Sequence, residues 1–164
     1  MEVYHVEPGL NPYELEMELV DSLRRDEIPI FACSNPVRVA PWGELLSTAA
    51  QVRGAAGAVM DGCVRDIVAI RAVGFPVFHG GIAPLDSNGR ARVMAIDVPV
   101  ECAGVAVSPG DLVFGDADGL VVVPRAVKEE VLRLGREKLA GERTALAELR
   151  AGASLRQVLI ATEI

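Results

Sequence analysis

The feature that most constrains the fold is an apolar run at residues 56–60, which ends at Asp61-Gly62 and is followed closely by a helical pattern. A short apolar run bounded by turn residues is typical of a strand buried on both faces. Residues 66–73, closed by Gly74, have helical spacing and predict a helix. A buried strand that leads through a glycine turn into a helix indicates an α/β protein with parallel strands.

The segments before this run repeat the same alternation. Residues 11–25 place leucines and a valine at helical spacing, with Asn11 as the expected N-cap. A short apolar strand follows at residues 28–33, and a second helix is predicted over residues 45–52, with Gly43 at its start. The first half of the chain is therefore predicted to follow a βαβα order.

The second half of the chain does not continue the alternation of strands and helices. From residue 76 onward, glycine-rich turns separate short apolar or alternating runs, which predicts a β-rich region. Residues 116–119, Asp-Ala-Asp-Gly, superficially resemble a calcium loop, but the rest of a twelve-residue ligand set is missing, so a tight turn is predicted. A long charged helix is predicted from Pro124 to a stop at Gly152, with a last short helix from about Ser154.

Composition narrows the classes of protein that this chain can belong to. With 164 residues, 51% of them hydrophobic and only 4% aromatic, a single domain over residues 1–164 packed by aliphatic side chains is expected. The net charge of −7 argues against direct nucleic-acid binding, because a polyanion needs a basic surface. No apolar stretch is long enough to span a bilayer, and the three cysteines lack CxxC spacing, which favours a cytoplasmic protein with reduced thiols.

The adjacent residues Arg65 and Asp66, just after the predicted glycine turn, are the strongest candidates for a functional site. A guanidinium is a rigid fork of donors that suits a carboxylate, and aspartate oxygens suit Mg²⁺ or Mn²⁺. The pair therefore fits a site for an anionic, metal-chelating substrate. An alternative is that the pair only caps the helix that follows.

Several longer stretches resemble one known family when they are taken together and in order. They are WGELLSTAA, GAVMDGCVRD, GFPVFHGGIAP, VECAGVAVSPGDLVFGDADGLVVVP and KLAGERTALAELRAGASL. These stretches, within residues 41–155, resemble the RraA-like family, which includes the 4-hydroxy-4-methyl-2-oxoglutarate (HMG/CHA) aldolases and the regulators of ribonuclease activity A. The resemblance implies an α/β fold of the three-layer β/β/α swivelling type, assembled as homotrimers or hexamers with active sites at subunit interfaces.

The resemblance also implies roles for individual residues. The segment Gly43-Glu44-Leu45-Leu46 corresponds to the one whose backbone amides bind the pyruvyl carboxylate in the aldolases, as exposed amides at a helix start can do. Arg65 takes the place of the arginine that contacts the substrate and stabilises the enolate. Asp66 takes the place of the aspartate that holds the divalent metal directly.

Further acidic groups are expected to act on Mg²⁺ or Mn²⁺ through water. Glu44 fits this role, and Glu142 resembles the glutamate that an adjacent subunit contributes; the alternative for Glu142 is a solvated charge on a long helix. A lysine that forms a Schiff base is not needed, which agrees with the placement of Lys128 and Lys138 on the predicted C-terminal helix.

The implied function is that of a metal-dependent lyase that cleaves a 2-oxo dicarboxylic acid to give pyruvate, as an HMG aldolase, an oxaloacetate decarboxylase or both. The sequence departs from the family in two places. Ala69 stands where the aldolases usually carry another acid, and the usual N-terminal extension is absent from this sequence. The alternative function is a non-catalytic regulator of ribonuclease E that acts by protein–protein binding.

Overall fold

The computed structural model describes residues 11–33 and 39–162. The chain divides between Pro109 and Gly110 into two compact units. The single domain expected over residues 1–164 stays a prediction.

The first unit is built on a parallel sheet of three strands in the order β1-β2-β3, with β2 in the centre. The helices and strands up to the end of this sheet, in chain order, are α1 (Glu14–Ser22), β1 (Ile30–Phe31), α2 (Glu44–Val52), β2 (Ala58–Val64), α3 (Ile67–Val73) and β3 (Val77–Ile82). One helix connects each pair of neighbouring strands, which confirms the predicted alternation. Gly74, at a φ of +73°, ends α3 as predicted.

The first helix starts later than predicted. It begins at Glu14, with Tyr13 in the N-cap position, so the assignment of Asn11 as the N-cap is wrong. The Asn11 side chain instead accepts a hydrogen bond from the Tyr13 backbone N–H at 3.1 Å and donates one to the Glu14 carboxylate. Asparagine favours such a local turn as readily as a cap, because its amide reaches the backbone two residues on.

The core of the first unit packs around Trp42, whose side chain is fully buried. The ring of Phe31 meets the indole edge-on at 5.5 Å between centroids, and the ring of Phe75 stacks on it at 6.4 Å. The indole Nε1 donates a hydrogen bond to the Ser47 hydroxyl at 2.7 Å. Because Ser47 lies in the first turn of α2, Trp42 ties the start of that helix to the core.

Strand β2 does not end where the sequence pattern predicted. The chain continues as strand through Asp61 and Gly62 to Val64, so the predicted turn at Asp61-Gly62 is wrong. The register against β3 shifts between Met60 and Cys63, which marks an irregularity inside the strand. A Cβ on Gly62 would lie 2.6 Å from the sulfur of Cys33, so glycine is required here for close approach of two chain segments.

Asp61 has a structural role within the first unit. Its Oδ1 accepts the N–H of Cys33 at 2.6 Å, just beyond β1, and its Oδ2 accepts the N–H of Ala103 at 3.1 Å. Ala103 lies in the tight turn of an antiparallel hairpin formed by β4 (Val100–Cys102) and β5 (Val105–Val107). One carboxylate therefore joins the parallel sheet to the hairpin.

The Asp61→Ala variant is expected to lose about 2–4 kcal/mol of unfolding free energy, because two backbone N–H groups lose a charged acceptor. Urea denaturation followed by circular dichroism measures this loss. Glu101→Ala is the matched control, because Glu101 is an exposed acid on β4, and its effect should stay within about 0.5 kcal/mol. Equal stability of the two variants would contradict the role assigned to Asp61.

The second unit consists of a hairpin and two helices. Strands β6 (Leu112–Asp116) and β7 (Gly119–Val123) pair antiparallel, a 3₁₀ turn covers Arg125–Val127, and α4 (Lys128–Arg150) and α5 (Leu155–Thr162) follow. The tight turn between β6 and β7 and the stop at Gly152, whose φ is +96°, are as predicted. Within residues 11–33 and 39–162, none of the helices combines the length and the apolar character needed to cross a membrane.

Candidate active site

The candidate site lies where β2 leaves the sheet. Arg65 and Asp66 follow the last residue of the strand, Val64, which forms a parallel bridge with Trp42. The backbone N–H of Arg65 donates to the Trp42 carbonyl at 3.0 Å. This pairing brings Gly43, at the start of α2, against the Arg65–Asp66 pair, although the two segments are far apart in sequence.

Gly43 is buried, and its contacts leave no room for a side chain. A Cβ on Gly43 would lie 2.5 Å from Oδ2 of Asp66 and 3.0 Å from Cγ and Nε of Arg65. Its backbone is extended, so the conformation alone does not require glycine. Glycine is required because both site side chains pack directly on its Cα.

Asp66 links the two helices that meet at the site. Its carboxylate makes no capping hydrogen bond to α3, so the alternative that the pair merely caps the following helix is wrong. Instead, Oδ2 accepts the backbone N–H of Glu44, the first residue of α2, at 3.1 Å. Asp66 has a φ of +59°, a left-handed conformation that aspartate tolerates better than most residues.

The guanidinium of Arg65 is held at one end and open at the other. Its Nη1 donates to the carbonyl of Ala40 at 2.7 Å, and its Nε lies 3.6 Å from Oδ2 of Asp66. No further hydrogen bond from this group is found in the described part of the chain. The side chain is 24% exposed, so its remaining N–H groups can reach an anionic ligand.

The N-terminus of α2 adds unpaired amides beside this guanidinium. The first hydrogen bond within the helix runs from Ser47 N–H to the Gly43 carbonyl at 3.1 Å. The Glu44 N–H is taken by Asp66, whereas the N–H groups of Leu45 and Leu46 have no acceptor among the described residues. Unpaired amides and the helix dipole make such a terminus favourable for a carboxylate.

The residues at the site fit a divalent cation held by one protein carboxylate. Oδ1 of Asp66 has no protein partner among the described residues, and the side chain is 43% exposed. The carboxylate of Glu44 is exposed, and this residue lines an open groove with Asp21 and Arg53. Glu142 is half-buried on α4 in the second unit. Across residues 11–33 and 39–162, no three His, Cys, Asp or Glu side chains are grouped as a metal site. One direct carboxylate with a shell of water is a coordination that Mg²⁺ accepts.

A second group of polar residues near Arg65 was not identified from the sequence. Glu16, on α1, is only 3% exposed, and burial raises its pKa from 4.5 to about 7. The positive charge of Arg65 opposes this rise, and the negative charge of Asp86 adds to it. One sequence signal was available, because Glu16 lies four residues before the buried Val20 and so falls on the buried face of the helix.

Asp86, in the loop after β3, is the centre of that group. Its Oδ2 accepts the hydroxyl of Tyr13 at 3.2 Å, and its Oδ1 accepts Nη1 of Arg90 at 3.1 Å. Burial and the adjacent Asp86 raise the pKa of Tyr13, so its phenol keeps its proton at neutral pH. The start of α1 and the loop are therefore held together beside Arg65.

The chain is similar in sequence to proteins of one known family. The sequence pattern of the RraA-like family, described as Aldolase/RraA, matches residues 8–122. A protein of Halalkalibacterium halodurans, whose name proposes a 4-hydroxy-4-methyl-2-oxoglutarate aldolase, is 39% identical over 100 residues, which make up 61% of this chain and 47% of that protein. This chain spans about half the length of the first curated relatives that it matches, 57% and 47% of them.

Solved structures show the same fold. The crystal structure of an uncharacterised protein from Pseudomonas syringae pv. tomato has a TM-score of 0.85 and 25% identity, over 98% of this chain and 72% of that chain. The RNA-processing inhibitor RraA from Thermus has a TM-score of 0.60 and 28% identity, over 67% of this chain and 66% of that chain. Sequence pattern and fold agree, and the chain belongs to the RraA-like family, with an α/β RraA-like fold.

Proposed function

We propose that this protein is a cytoplasmic lyase that cleaves a 2-oxo dicarboxylic acid, such as 4-hydroxy-4-methyl-2-oxoglutarate or oxaloacetate, and releases pyruvate. One observation carries the proposal. Arg65 and Asp66 pack on Gly43, directly beside the unpaired N–H groups of Leu45 and Leu46. A cation, a carboxylate and a helix N-terminus are thus within reach of one small dianionic molecule.

In this proposal the helix start binds the end of the substrate that becomes pyruvate. The substrate carboxylate accepts the N–H groups of Leu45 and Leu46, where the helix dipole favours negative charge. The open side of the Arg65 guanidinium then lies over the neighbouring 2-oxo oxygen. The hydrogen bond from Arg65 to Ala40 fixes the guanidinium in this orientation before substrate arrives.

The reaction is a retro-aldol cleavage. The bond between C3 and C4 of the substrate breaks, and its electron pair forms the C2–C3 double bond, which places negative charge on the 2-oxo oxygen. Arg65 neutralises that charge as it develops. The 4-hydroxyl loses its proton and becomes a carbonyl, C3 gains a proton, and 4-hydroxy-4-methyl-2-oxoglutarate gives two pyruvates. With oxaloacetate the same enolate forms as CO₂ departs.

Asp66 is proposed to hold Mg²⁺ or Mn²⁺ through Oδ1, with Glu44 and the Glu142 of an adjacent subunit acting through water in a homotrimer or hexamer. The cation, when bound, supplies a Lewis acid that polarises the 2-oxo group. The Glu44 N–H keeps Oδ2 of Asp66 occupied, which leaves the other oxygen directed away from that hydrogen bond. Lys128 and Lys138 both lie on α4 in the second unit, and neither is assigned a part in the reaction.

The proposal is tested by a coupled assay for pyruvate over a panel of 2-oxo acids, with Mg²⁺, with Mn²⁺ and with a chelator. We expect release from at least one 2-oxo dicarboxylic acid, lost with the chelator and restored by excess metal. Monocarboxylic 2-oxo acids are the matched negative substrates. Undiminished release in the chelator, or no release from any member of the panel, would contradict the proposal.

A regulator of ribonuclease E is the alternative, favoured by Ala69 and by the likeness to an RNA-processing inhibitor. Ala69 lies half-buried in α3, three residues after Asp66, and supplies no carboxylate. An acidic protein of this kind would dock on a basic segment of its partner. Pull-down with ribonuclease E at low and high salt tests this alternative, and salt-sensitive capture without any pyruvate release would support it.

A further inference from the structure

Tyr13, Glu16, Asp86 and Ser87 form a polar group near Arg65, called here the Glu16 cluster. Its members come from the start of α1 and from the loop after β3, and none of them has a part in the proposed reaction. Asp86 is fully engaged, by Tyr13 on one oxygen and by Arg90 on the other. Glu16 and Ser87 are the buried members, 3% and 1% exposed.

Two oxygens of this cluster are buried without a hydrogen-bond partner among the described residues. They are Oε2 of Glu16 and Oγ of Ser87. The Ser87 hydroxyl is close enough to the Glu16 carboxyl to oppose the rise in its pKa, and neither oxygen has another partner among the described residues. Buried polar groups without partners cost stability, and they are concentrated at functional sites.

The cluster is joined to Arg65 through the backbone of Ala40. The Ala40 carbonyl accepts Nη1 of Arg65 at 2.7 Å, and the Ala40 N–H donates to the carbonyl of Leu85 at 2.7 Å. Leu85 directly precedes Asp86 and Ser87 in the loop. The charge of Arg65 also opposes the rise in the pKa of Glu16 and of Tyr13, so the guanidinium is within electrostatic reach of the cluster.

We propose that Glu16 is a positioning residue that sets how strongly Arg65 binds an anion. While Glu16 is uncharged, the positive charge of the guanidinium acts on the substrate. Once Glu16 is ionised, its buried carboxylate attracts the same guanidinium and weakens its hold on the substrate. This inference rests on the proposed function, in which Arg65 is the group that binds a 2-oxo acid.

The direction of the pH dependence follows from the groups that face Glu16. Burial and Asp86 raise the pKa of Glu16, and Arg65 and the Ser87 hydroxyl oppose them, which leaves it at about 7. Tyr13 is protonated in this range and Arg90 is paired with Asp86. Glu16 is therefore uncharged below about pH 7 and ionised above it. Anion affinity at Arg65 should fall as the pH rises through this value.

Oxalate is the probe, because it has the size, planarity and charge of the pyruvate enolate. Its dissociation constant is measured by calorimetry with Mg²⁺ present, at about pH 6 and about pH 8, on either side of the pKa of Glu16. Oxalate itself is a dianion at both values. For the unmodified protein we expect binding to weaken by up to about tenfold, the change that one ionisation over this range allows.

Glu16→Gln supplies the decisive comparison, since glutamine has the shape of the uncharged acid and cannot ionise. We expect this variant to bind oxalate with equal affinity at both pH values, close to that of the unmodified protein at the lower one. Glu18→Gln is the matched control, because Glu18 is an exposed acid on the same helix, and it should retain the full pH dependence. Circular dichroism confirms that each variant is folded.

The possible outcomes are separable. Equal oxalate affinity at both pH values in the unmodified protein overturns the inference without any variant, as does unchanged pH dependence in Glu16→Gln. Absence of oxalate binding at both values overturns this inference together with the proposed anion site. If oxalate binds as expected but no substrate of the panel releases pyruvate, the role of Glu16 in anion binding is supported and the lyase function is contradicted.

Discussion

Replacing Arg65 by alanine is expected to lower kcat/KM for pyruvate release at least about a thousandfold. The Arg65 side chain packs on Gly43, and in the proposed reaction its guanidinium neutralises the charge that forms on the 2-oxo oxygen. Its loss removes a preorganised charge from the transition state, which the helix amides alone do not replace. The coupled pyruvate assay measures the effect, with the best substrate of the panel.

Two further variants decide how the Arg65 result is interpreted. Arg65→Lys keeps the positive charge but loses the planar fork that binds Ala40 and substrate together, so a loss of about a hundredfold is expected. Arg71→Ala removes an exposed arginine from the last turn of α3 and should leave activity within about twofold. An Arg65→Ala variant as active as Arg71→Ala would exclude the site.

Gly43→Ala is expected to reduce kcat/KM by about a hundredfold or more while the protein stays folded. The added methyl group would lie 2.5 Å from the Asp66 carboxylate, so Asp66 and Arg65 must both move. The atoms that move belong to side chains rather than to the backbone, so the protein is expected to stay folded, whereas the pairing that the proposed reaction needs is lost. Activity is measured beside a thermal unfolding curve.

Gly135→Ala is the matched control for this change. Gly135 lies within α4, and a Cβ there meets nothing within 4 Å. The control variant should keep full activity and gain up to about 1 kcal/mol of stability, because alanine is the better helix former. If Gly43→Ala retains full activity as well, the packing of Arg65 and Asp66 on Gly43 has no part in catalysis.

Local patterns were sufficient to predict most elements of this chain. The order of strands and helices around β2, the stops at Gly74 and Gly152 and the hairpin turn before Gly119 all depend on short-range preferences that the printed sequence displays. Arg65 and Asp66 could be identified as site candidates for a similar reason, whereas the other site residues were assigned through the family resemblance. The residue types of Arg65 and Asp66 and their place after a buried run were visible without any knowledge of the fold.

What was mispredicted or missed depends on contacts between distant segments. The turn assigned to Asp61-Gly62 was wrong because Gly62 is required by the sulfur of Cys33, which the sequence does not place beside it. The role of Asp61 was missed for the same reason, because its partners Cys33 and Ala103 are distant from it in the sequence. Glu16 was missed because it is buried by the packing of α1, whereas a glutamate is expected at the surface from its residue type alone.

Because Arg65 and Asp66 pack on Gly43, the residue type at position 43 indicates whether the two side chains can keep this arrangement. In any chain that shares this backbone, a residue larger than glycine at that place forces the arginine and the aspartate apart, even if both are still present. Under the proposed function, such chains would keep the fold and lose the lyase activity. If the proposed function holds, the residue at that position is expected to separate relatives that can form the site from those that cannot.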